Sequence, residues 1–383
     1  MVEPEGTAQS DLTANLLRAA AVVALLFVFL MGVRGLGDGF TLLGKDLLDS
    51  FFKATSNPFV GLMVGLLATT LMQSSSVTTS MIVALVAAPE NPLPVMNAVP
   101  MIMGANIGTT VTNTIVALAH IGRPEEFRRA FAVATCHDFF NFIAVIVLLP
   151  LEIATGFLSK TAAVFAGGLA NSGAGLKLDN PLKTALEAAL DPIQSVLSSL
   201  SESDVTQGVL LILISGVLIF VALLQIVKVM RAAMLSKAES SIEKVLGRSA
   251  ILGMTVGVLV TGMVQSSSIT TSLLVPLAGA GLLTLEQAFP VTLGANIGTT
   301  LTALMASLAV SGPNAEAGVV IALTHLMFNL AGTALIYPVA AVRRLPLTAA
   351  RKLADVAVGS KVLAIVYVAV LFYALPALFA YVS

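Results

Sequence analysis

Residues 69–80 read TTLMQSSSVTTS and residues 261–272 read TGMVQSSSITTS, with eight of twelve positions identical at an offset of 192. Beyond each, PMIMGANIGTT (100–110) pairs with PVTLGANIGTT (290–300), eight of eleven identical. Further on, His137-Asp-Phe-Phe-Asn141 matches His325-Leu-Met-Phe-Asn329 in outline. One unit of about 95 residues, a broken apolar segment and two helices, therefore occurs twice. Each Gln-Ser-Ser-Ser tetrad interrupts an apolar stretch, 58–88 or 251–283. Four polar residues facing lipid would be costly, so each stretch reads as a re-entrant helical hairpin, two half-helices meeting at a turn. Such a hairpin is tolerated only where protein buries it or it lines a wet cavity.

The rest of the chain agrees with a membrane setting. Its 383 residues are 57% hydrophobic and 11% charged, against about 25% charged in soluble domains, and mean hydropathy is +0.96. This is the composition of an all-α integral membrane protein. A net charge of −1 gives no electrostatic support to a nucleic-acid partner. The single cysteine, Cys136, excludes an intrachain disulfide and a cysteine-built zinc or redox site, and reads as a small buried hydrophobe. Three scattered histidines argue against a metalloenzyme. Near the amino terminus, Glu3, Glu5 and Asp11 face only Arg18, and no small-residue cleavage site follows. Residues 17–36 therefore read as a retained helix, not a signal peptide.

Stretches of the roughly 20 residues a crossing needs lie at 17–36, 95–120, 130–150, 207–230, 287–310, 317–342 and 360–382, giving about seven full spans and two hairpins. Thirteen of the 20 basic residues gather in three places: Arg123, Arg128 and Arg129; Lys228, Arg231, Lys237, Lys244 and Arg248; Arg343, Arg344, Arg351, Lys352 and Lys361. These are expected to be cytoplasmic. Segment 151–206 is acid-rich and apolar in patches and is expected to lie outside as surface helices. With seven crossings the amino terminus is inside and the carboxyl terminus outside. The first hairpin then enters from outside and the second from inside, so the repeat is inverted. Inverted repeats with broken helices are the pattern of secondary transporters, and the breaks mark the binding site. The chain divides into 1–56 (first span and connection), 57–152 (repeat 1), 153–206 (external region), 207–249 (scaffold span and cytoplasmic segment), 250–344 (repeat 2) and 345–383 (last span).

A helix that restarts in mid-membrane presents free N–H groups and a positive dipole end, which suit an anion. The hydroxyls of Ser74, Ser75, Ser76, Ser266, Ser267 and Ser268 can turn donors to an oxyanion or lone pairs to a cation. The carbonyls of Gln73, Gln265, Asn106 and Asn296 suit a hard cation that prefers oxygen, such as Na⁺. Neither tetrad nor either GANIGTT segment contains Lys or Arg. A bound cation would supply the missing positive charge, making the two bindings mutually dependent.

Simpler explanations compete. Ser, Thr and Gly pack membrane helices closely, and one serine-rich patch is more often packing than ligand. Two identical tetrads, each followed by the same GANIGTT, reverse that, because packing does not require Gln and Asn twice at matching places. Asp138, an ionisable residue within a span, is a functional candidate or equally a paired carboxylate near the inner surface, since Arg129 is nine residues away. His137 and His325 accompany it at lower weight. His120 reads as interfacial, and Phe139, Phe140 and Phe142 as core or lipid-facing.

With QSSS twice, GANIGTTVTNTIVAL at 104–118 and FRRAFAVATCHDFFNFIAVIVLLPLE at 127–152, the chain closely resembles the type II sodium-dependent phosphate cotransporters across about 15–382. The resemblance implies inward Na⁺-driven uptake of inorganic phosphate, with elevator-like or rocking alternation. Matching motifs would place phosphate at Gln73, Ser74, Ser75, Ser76, Thr109 and Thr110, with Ser266 and Ser267 available from the second tetrad. Sodium, the coupling ion, would draw on Gln265, Ser266, Ser267, Ser268, Asn106, Asn296, Thr299 and Thr302. Expected partners are inorganic phosphate, sodium ions and membrane lipid, with a homodimer left open. Animal members carry a disulfide-bonded, glycosylated external loop, a further helix and a tail. Here 151–206 has no cysteine and no N-x-S/T acceptor, and the sequence stops at Ser383, which points to a prokaryotic inner-membrane protein.

Rivals are a carrier of another oxyanion and an anion channel or sensor. A dicarboxylate carrier would want an Arg clamp, absent from both motifs. A channel has no use for two oppositely oriented hairpins. No nucleophile–base pair stands out, so the chain does not read as an enzyme.

Overall fold

In hydrocarbon every backbone N–H and C=O must find an internal partner, so apolar runs of Leu, Val, Ile and Ala fold as helices. The computed structural model describes residues 5–43, 52–171, 181–245 and 249–382. The first half contains α1 (Glu5–Leu42), α2 (Pro58–Met72), α3 (Ser75–Val86), α4 (Val95–Thr109), α5 (Val111–Leu118), α6 (Pro124–Thr155) and α7 (Phe157–Asn171). After α8 (Pro181–Leu200) come α9 (Asp204–Val245), α10 (Ala250–Val264), α11 (Ser267–Gly279), α12 (Leu285–Gly298), α13 (Thr300–Ala309), α14 (Ala315–Ile336) and α15 (Ala340–Gly359). A last helix runs as α16 (Lys361–Ala369), a π turn over Val370–Ala374, and α17 (Leu375–Val382).

Seven stretches among the described residues are long and apolar enough to cross a membrane: Leu16–Leu42, Val95–Leu118, Pro124–Thr155, Asp204–Val229, Leu285–Ala309, Ala315–Ile336 and Lys361–Tyr381. They match the seven expected from sequence, and the protein is a multi-pass, all-helical membrane protein. Four shorter apolar helices, α2, α3, α10 and α11, have 15, 12, 15 and 13 residues. At 1.5 Å per residue they are about 18–23 Å long, short of the roughly 30 Å hydrocarbon core.

Two of the spans differ from the continuous helices expected. The stretch 95–120 is interrupted between α4 and α5 at Thr110, and 287–310 between α12 and α13 at Thr299. Beside each interruption a threonine hydroxyl turns back to its own helix, Thr110 Oγ1 donating to Ile107 O and Thr300 Oγ1 to Ile297 O, each at 2.8 Å. Helix α9 is longer than anticipated, 42 residues or about 63 Å. It carries most of the basic stretch beyond the span, while Arg248 lies outside the described residues. In 151–206, α7 and α8 are helices as anticipated. Leu186, Leu190 and Leu197 give α8 a buried stripe, the spacing of an amphipathic helix.

Packing repeats with the sequence. Helix α2 lies along α4, and α10 along α12. A Cβ on Gly104 would fall 1.9 Å from Leu62 O, and one on Gly294 1.9 Å from Met254 O, so only glycine lets these backbones meet. Helix α3 packs on α13 of the other unit, as α11 packs on α5. The helix after α6 covers α14, and the helix after α14 covers α6. Helices α1 and α9, which precede the units, pack against each other. Each tetrad helix has its far end held by the opposite unit. Arg129 Nε donates to Ala278 O and Gly279 O, both at 3.1 Å, in the last turn of α11. Asn314 Nδ2 donates to Ala88 O at 2.7 Å, beyond α3.

Candidate functional site

Both tetrads are built alike. Gln73 ends α2 at φ 52 and Gln265 ends α10 at φ 57, a left-handed conformation that costs a residue with a Cβ about 1–2 kcal/mol. The next residue swings back to extended backbone and caps the following helix. Ser74 Oγ accepts from Val77 N, and Ser266 Oγ from Ile269 N, each at 3.4 Å. The first-turn N–H groups of α3 and α11, those of Ser75, Ser76, Ser267 and Ser268, lack intrahelical partners by geometry. Two helix starts thus face the protein interior at the broken segments.

Side chains then join the tetrads. Ser76 Oγ lies 3.2 Å from Thr302 Oγ1 and 3.5 Å from Gln265 O. Thr302 Oγ1 donates to Gln265 Oε1 at 2.9 Å, and Gln265 Nε2 donates to Gly262 O. Thr299 Oγ1 donates to Ser267 Oγ at 2.9 Å. Ser75, Ser76, Gln265, Ser267, Thr299 and Thr302 are all buried. The result is an oxygen-lined contact between first-unit α3 and second-unit α11–α13. Such oxygens suit a hard cation, and the adjoining N–H groups suit an anion.

The first tetrad is the more open. Gln73 is exposed, whereas Gln265 is buried. Thr112 Oγ1 donates to Gln73 Oε1 at 3.1 Å, the counterpart of Thr302 on Gln265. Among the described residues no bond from Ser268 to Gln73 mirrors that of Ser76 to Gln265. Gln73 Nε2 instead reaches Thr70 O at 2.5 Å and Tyr373 of the last span at 3.5 Å.

Other sequence-predicted residues lie elsewhere. Thr109 Oγ1 bonds its own helix at Ala105 O, 3.0 Å, and Thr110, bonded to Ile107 O, lies beside Asp138. Asn106 and Asn296 enter a separate, fully buried cluster with Asn141, Asn329, His137 and His325. There Asn296 Nδ2 donates to Asn329 Oδ1 at 2.6 Å and Asn141 Oδ1 at 3.2 Å. Asn141 Nδ2 donates to Asn106 O at 3.1 Å, and His325 Nε2 lies 3.4 Å from Asn106 Oδ1. All six belong to the repeated motifs, so the two units meet on matched residues here as well.

Sequence reasoning missed Thr112, which the register of GANIGTTVT against GANIGTTLT pairs with Thr302. It also missed Asn113, whose Oδ1 accepts from Thr271 at 2.9 Å and Ser272 at 3.1 Å, another bridge between units. Tyr367 and Tyr373, outside the repeat, carried no sequence signal.

Paired broken helices meeting inside a seven-span helical protein define the class as polytopic membrane proteins with an internally duplicated core. The profile described as Na⁺/Pi-cotransporter matches residues 28–177 and 218–378, and the chain belongs to that family. It is 34% identical to the rat sodium-dependent phosphate transport protein 2A, over 95% of this chain and 67% of that protein. It is 32% identical to the human sodium-dependent phosphate transport protein 2B, over 94% of this chain and 64% of that protein. The chain thus spans about two thirds of the length of these relatives. No solved structure matches it.

Proposed function

We propose that this protein moves inorganic phosphate into the cell together with Na⁺, by alternating access, with both held between the two tetrads. The observation that carries the reading is the contact of Ser76 with Thr302 and Gln265, which brings one tetrad onto the other. Family membership and the relatives' names supply the substrate and the ion. On this reading α2–α3 and α10–α11 are re-entrant hairpins entering from opposite sides. Phosphate is bound by the first-turn N–H groups and hydroxyls of Ser74, Ser75, Ser76, Ser266 and Ser267, with Gln73, Thr109 and Thr110 beside the path. Sodium is bound by oxygens of Gln265, Ser267, Ser268, Thr299 and Thr302, and by the amide cluster at Asn106 and Asn296. Ser75, Ser76, Gln265 and Ser267 are buried as they stand, so full access to them requires the units to part, as alternation demands. The setting is the inner membrane of a prokaryotic cell, with the amino terminus cytoplasmic and the carboxyl terminus outside.

The test is radiolabelled phosphate uptake into proteoliposomes of the purified protein. Uptake should require an inward Na⁺ gradient and be competed by arsenate more strongly than by sulfate, because sulfate offers no proton to the site's acceptors. Uptake that is unchanged when K⁺ replaces Na⁺ would remove the coupling.

A further inference from the structure

The last span belongs to neither repeated unit, yet it delivers two hydroxyls to the first unit. Tyr367 OH donates to Asp138 Oδ2 at 2.7 Å, and Asp138 is fully buried within α6. Tyr373 OH accepts from Gln73 Nε2 at 3.5 Å, where α2 breaks. The π turn Val370–Ala374 follows Tyr367 and contains Tyr373. Such turns are rare and recur at functional positions, because they shift the faces of a helix after the turn relative to those before it. Here the turn buries Phe372 completely. Tyr367 is pinned by rings on either side, with Phe131 at 6.5 Å and Phe372 at 6.0 Å between centroids, so its hydroxyl is held in place. At the second unit, Gln265 is closed over by Ser76 from the opposite hairpin. At the first, the extra contact is to the side chain instead, with Tyr373 OH accepting from the Gln73 amide.

We propose that Tyr367 and Tyr373 are positioning residues for transport, a clamp by which the last span holds the Asp138 carboxylate and the Gln73 amide of the first unit in their working geometry. The proposal deepens the transport reading above and rests on it for its kinetic arms. It makes the two halves unequal, since among the described residues the first alone is clamped in this way from outside the repeat. Asp138 changes from a carboxylate of unassigned role to one with a dedicated donor.

The test compares Tyr367→Phe and Tyr373→Phe with Tyr381→Phe, a control on the same span that is 90% exposed. The Phe variants keep the rings and remove only the hydroxyls. Tyr367→Phe is expected to raise the half-saturating Na⁺ or phosphate concentration about five-fold or more, with the maximal rate retained. A merely structural role would lower the rate or yield and leave half-saturation unmoved. In an Asp138→Asn background Tyr367→Phe should add nothing, and in a Gln73→Ala background Tyr373→Phe should add nothing. Half-saturation in Tyr367→Phe shifted no more than in Tyr381→Phe, or full effects surviving in those backgrounds, overturns the clamp. A substrate-independent arm separates its failure from that of the transport reading. In a Cys136→Ala background, a Ser74→Cys thiol should react with a water-soluble reagent about ten-fold faster once Tyr373→Ala is added. Uptake without Na⁺ dependence overturns the transport reading alone; an unchanged thiol rate overturns the clamp.

Discussion

Thr302→Val is the sharpest perturbation of the contact between the tetrads. Valine keeps the β-branched shape and removes one hydroxyl, so packing is preserved while two partners are lost. Thr302 is fully buried; its Oγ1 donates to Gln265 Oε1 at 2.9 Å and stands 3.2 Å from Ser76 Oγ. Ser76 keeps Gln265 O at 3.5 Å, but Gln265 Oε1, in an 8% exposed residue, is left without its donor. An orphaned buried acceptor costs about 1–3 kcal/mol. If the same oxygens bind Na⁺, that disorder appears as a roughly five- to hundred-fold rise in half-saturating Na⁺. Thr112→Val makes the matching change on exposed Gln73, where water can replace the lost hydroxyl, and should shift half-saturating Na⁺ less than about three-fold. The assay is phosphate uptake in proteoliposomes across Na⁺ concentrations at equal protein, with thermal unfolding measured in parallel. Equal shifts for the two variants would refute the reasoning. So would a Thr302→Val protein that melts earlier yet keeps the wild-type Na⁺ dependence, since Thr302 would then be packing alone.

Ser75→Ala and Ser267→Ala each leave the helix-start N–H groups in place and should weaken half-saturating phosphate by roughly five- to hundred-fold. Ser307→Ala, whose hydroxyl bonds Leu304 O of its own helix, should change little in the same uptake assay. Gly104→Ala places a Cβ 1.9 Å from Leu62 O. It should force α2 and α4 apart, with loss of monodisperse protein in detergent; a wild-type elution profile and melting temperature would contradict the close-approach argument. For orientation, a cysteine at Asp191 in a Cys136→Ala background should label with an impermeant thiol reagent from outside, and one at Ser240 only from the cytoplasmic side. Labelling of both from one side would end the inverted-repeat reading.

The breaks at Gln73 and Gln265 were legible because a polar tetrad inside an apolar run has no other comfortable arrangement. The seven spans were legible for the reason hydropathy works at all: hydrocarbon leaves the backbone no choice. The breaks at Thr110 and Thr299 were not, since threonine is common within membrane helices and bonds back to its own helix without breaking it elsewhere, as at Thr135 and Thr324. Asn106 and Asn296 looked like companions of the tetrads because their carbonyls suit the same hard cation and GANIGTT follows each tetrad. Their partners in space are Asn141, 155 residues from Asn296, and His325, 219 residues from Asn106, and no local pattern encodes such distances. The partition of the site into a hydroxyl contact and an amide cluster is therefore a tertiary fact. The repeat supplied the members of both but not their grouping.

That grouping bears on why anion and cation should travel together. The tetrads and GANIGTT segments hold no Lys or Arg, and Arg129 spends its guanidinium on the far end of α11. Two helix starts contribute roughly half a charge each, close to enough for a monovalent anion and about one charge short for a divalent one. Hydroxyls distribute negative charge but do not neutralise it, and an uncompensated buried charge costs several kcal/mol. On the proposed function, a sodium ion on the oxygens of Gln265 and Thr302, which Ser76 touches, would remove that deficit from a position in contact with both tetrads. Each ion then raises the affinity for the other by the same factor, as linkage requires. A fixed lysine at the contact would also neutralise the anion, but it would do so on both sides of the membrane alike and leave nothing for a Na⁺ gradient to drive. On this reading the lack of a fixed cation beside the serines is what makes phosphate movement depend on sodium.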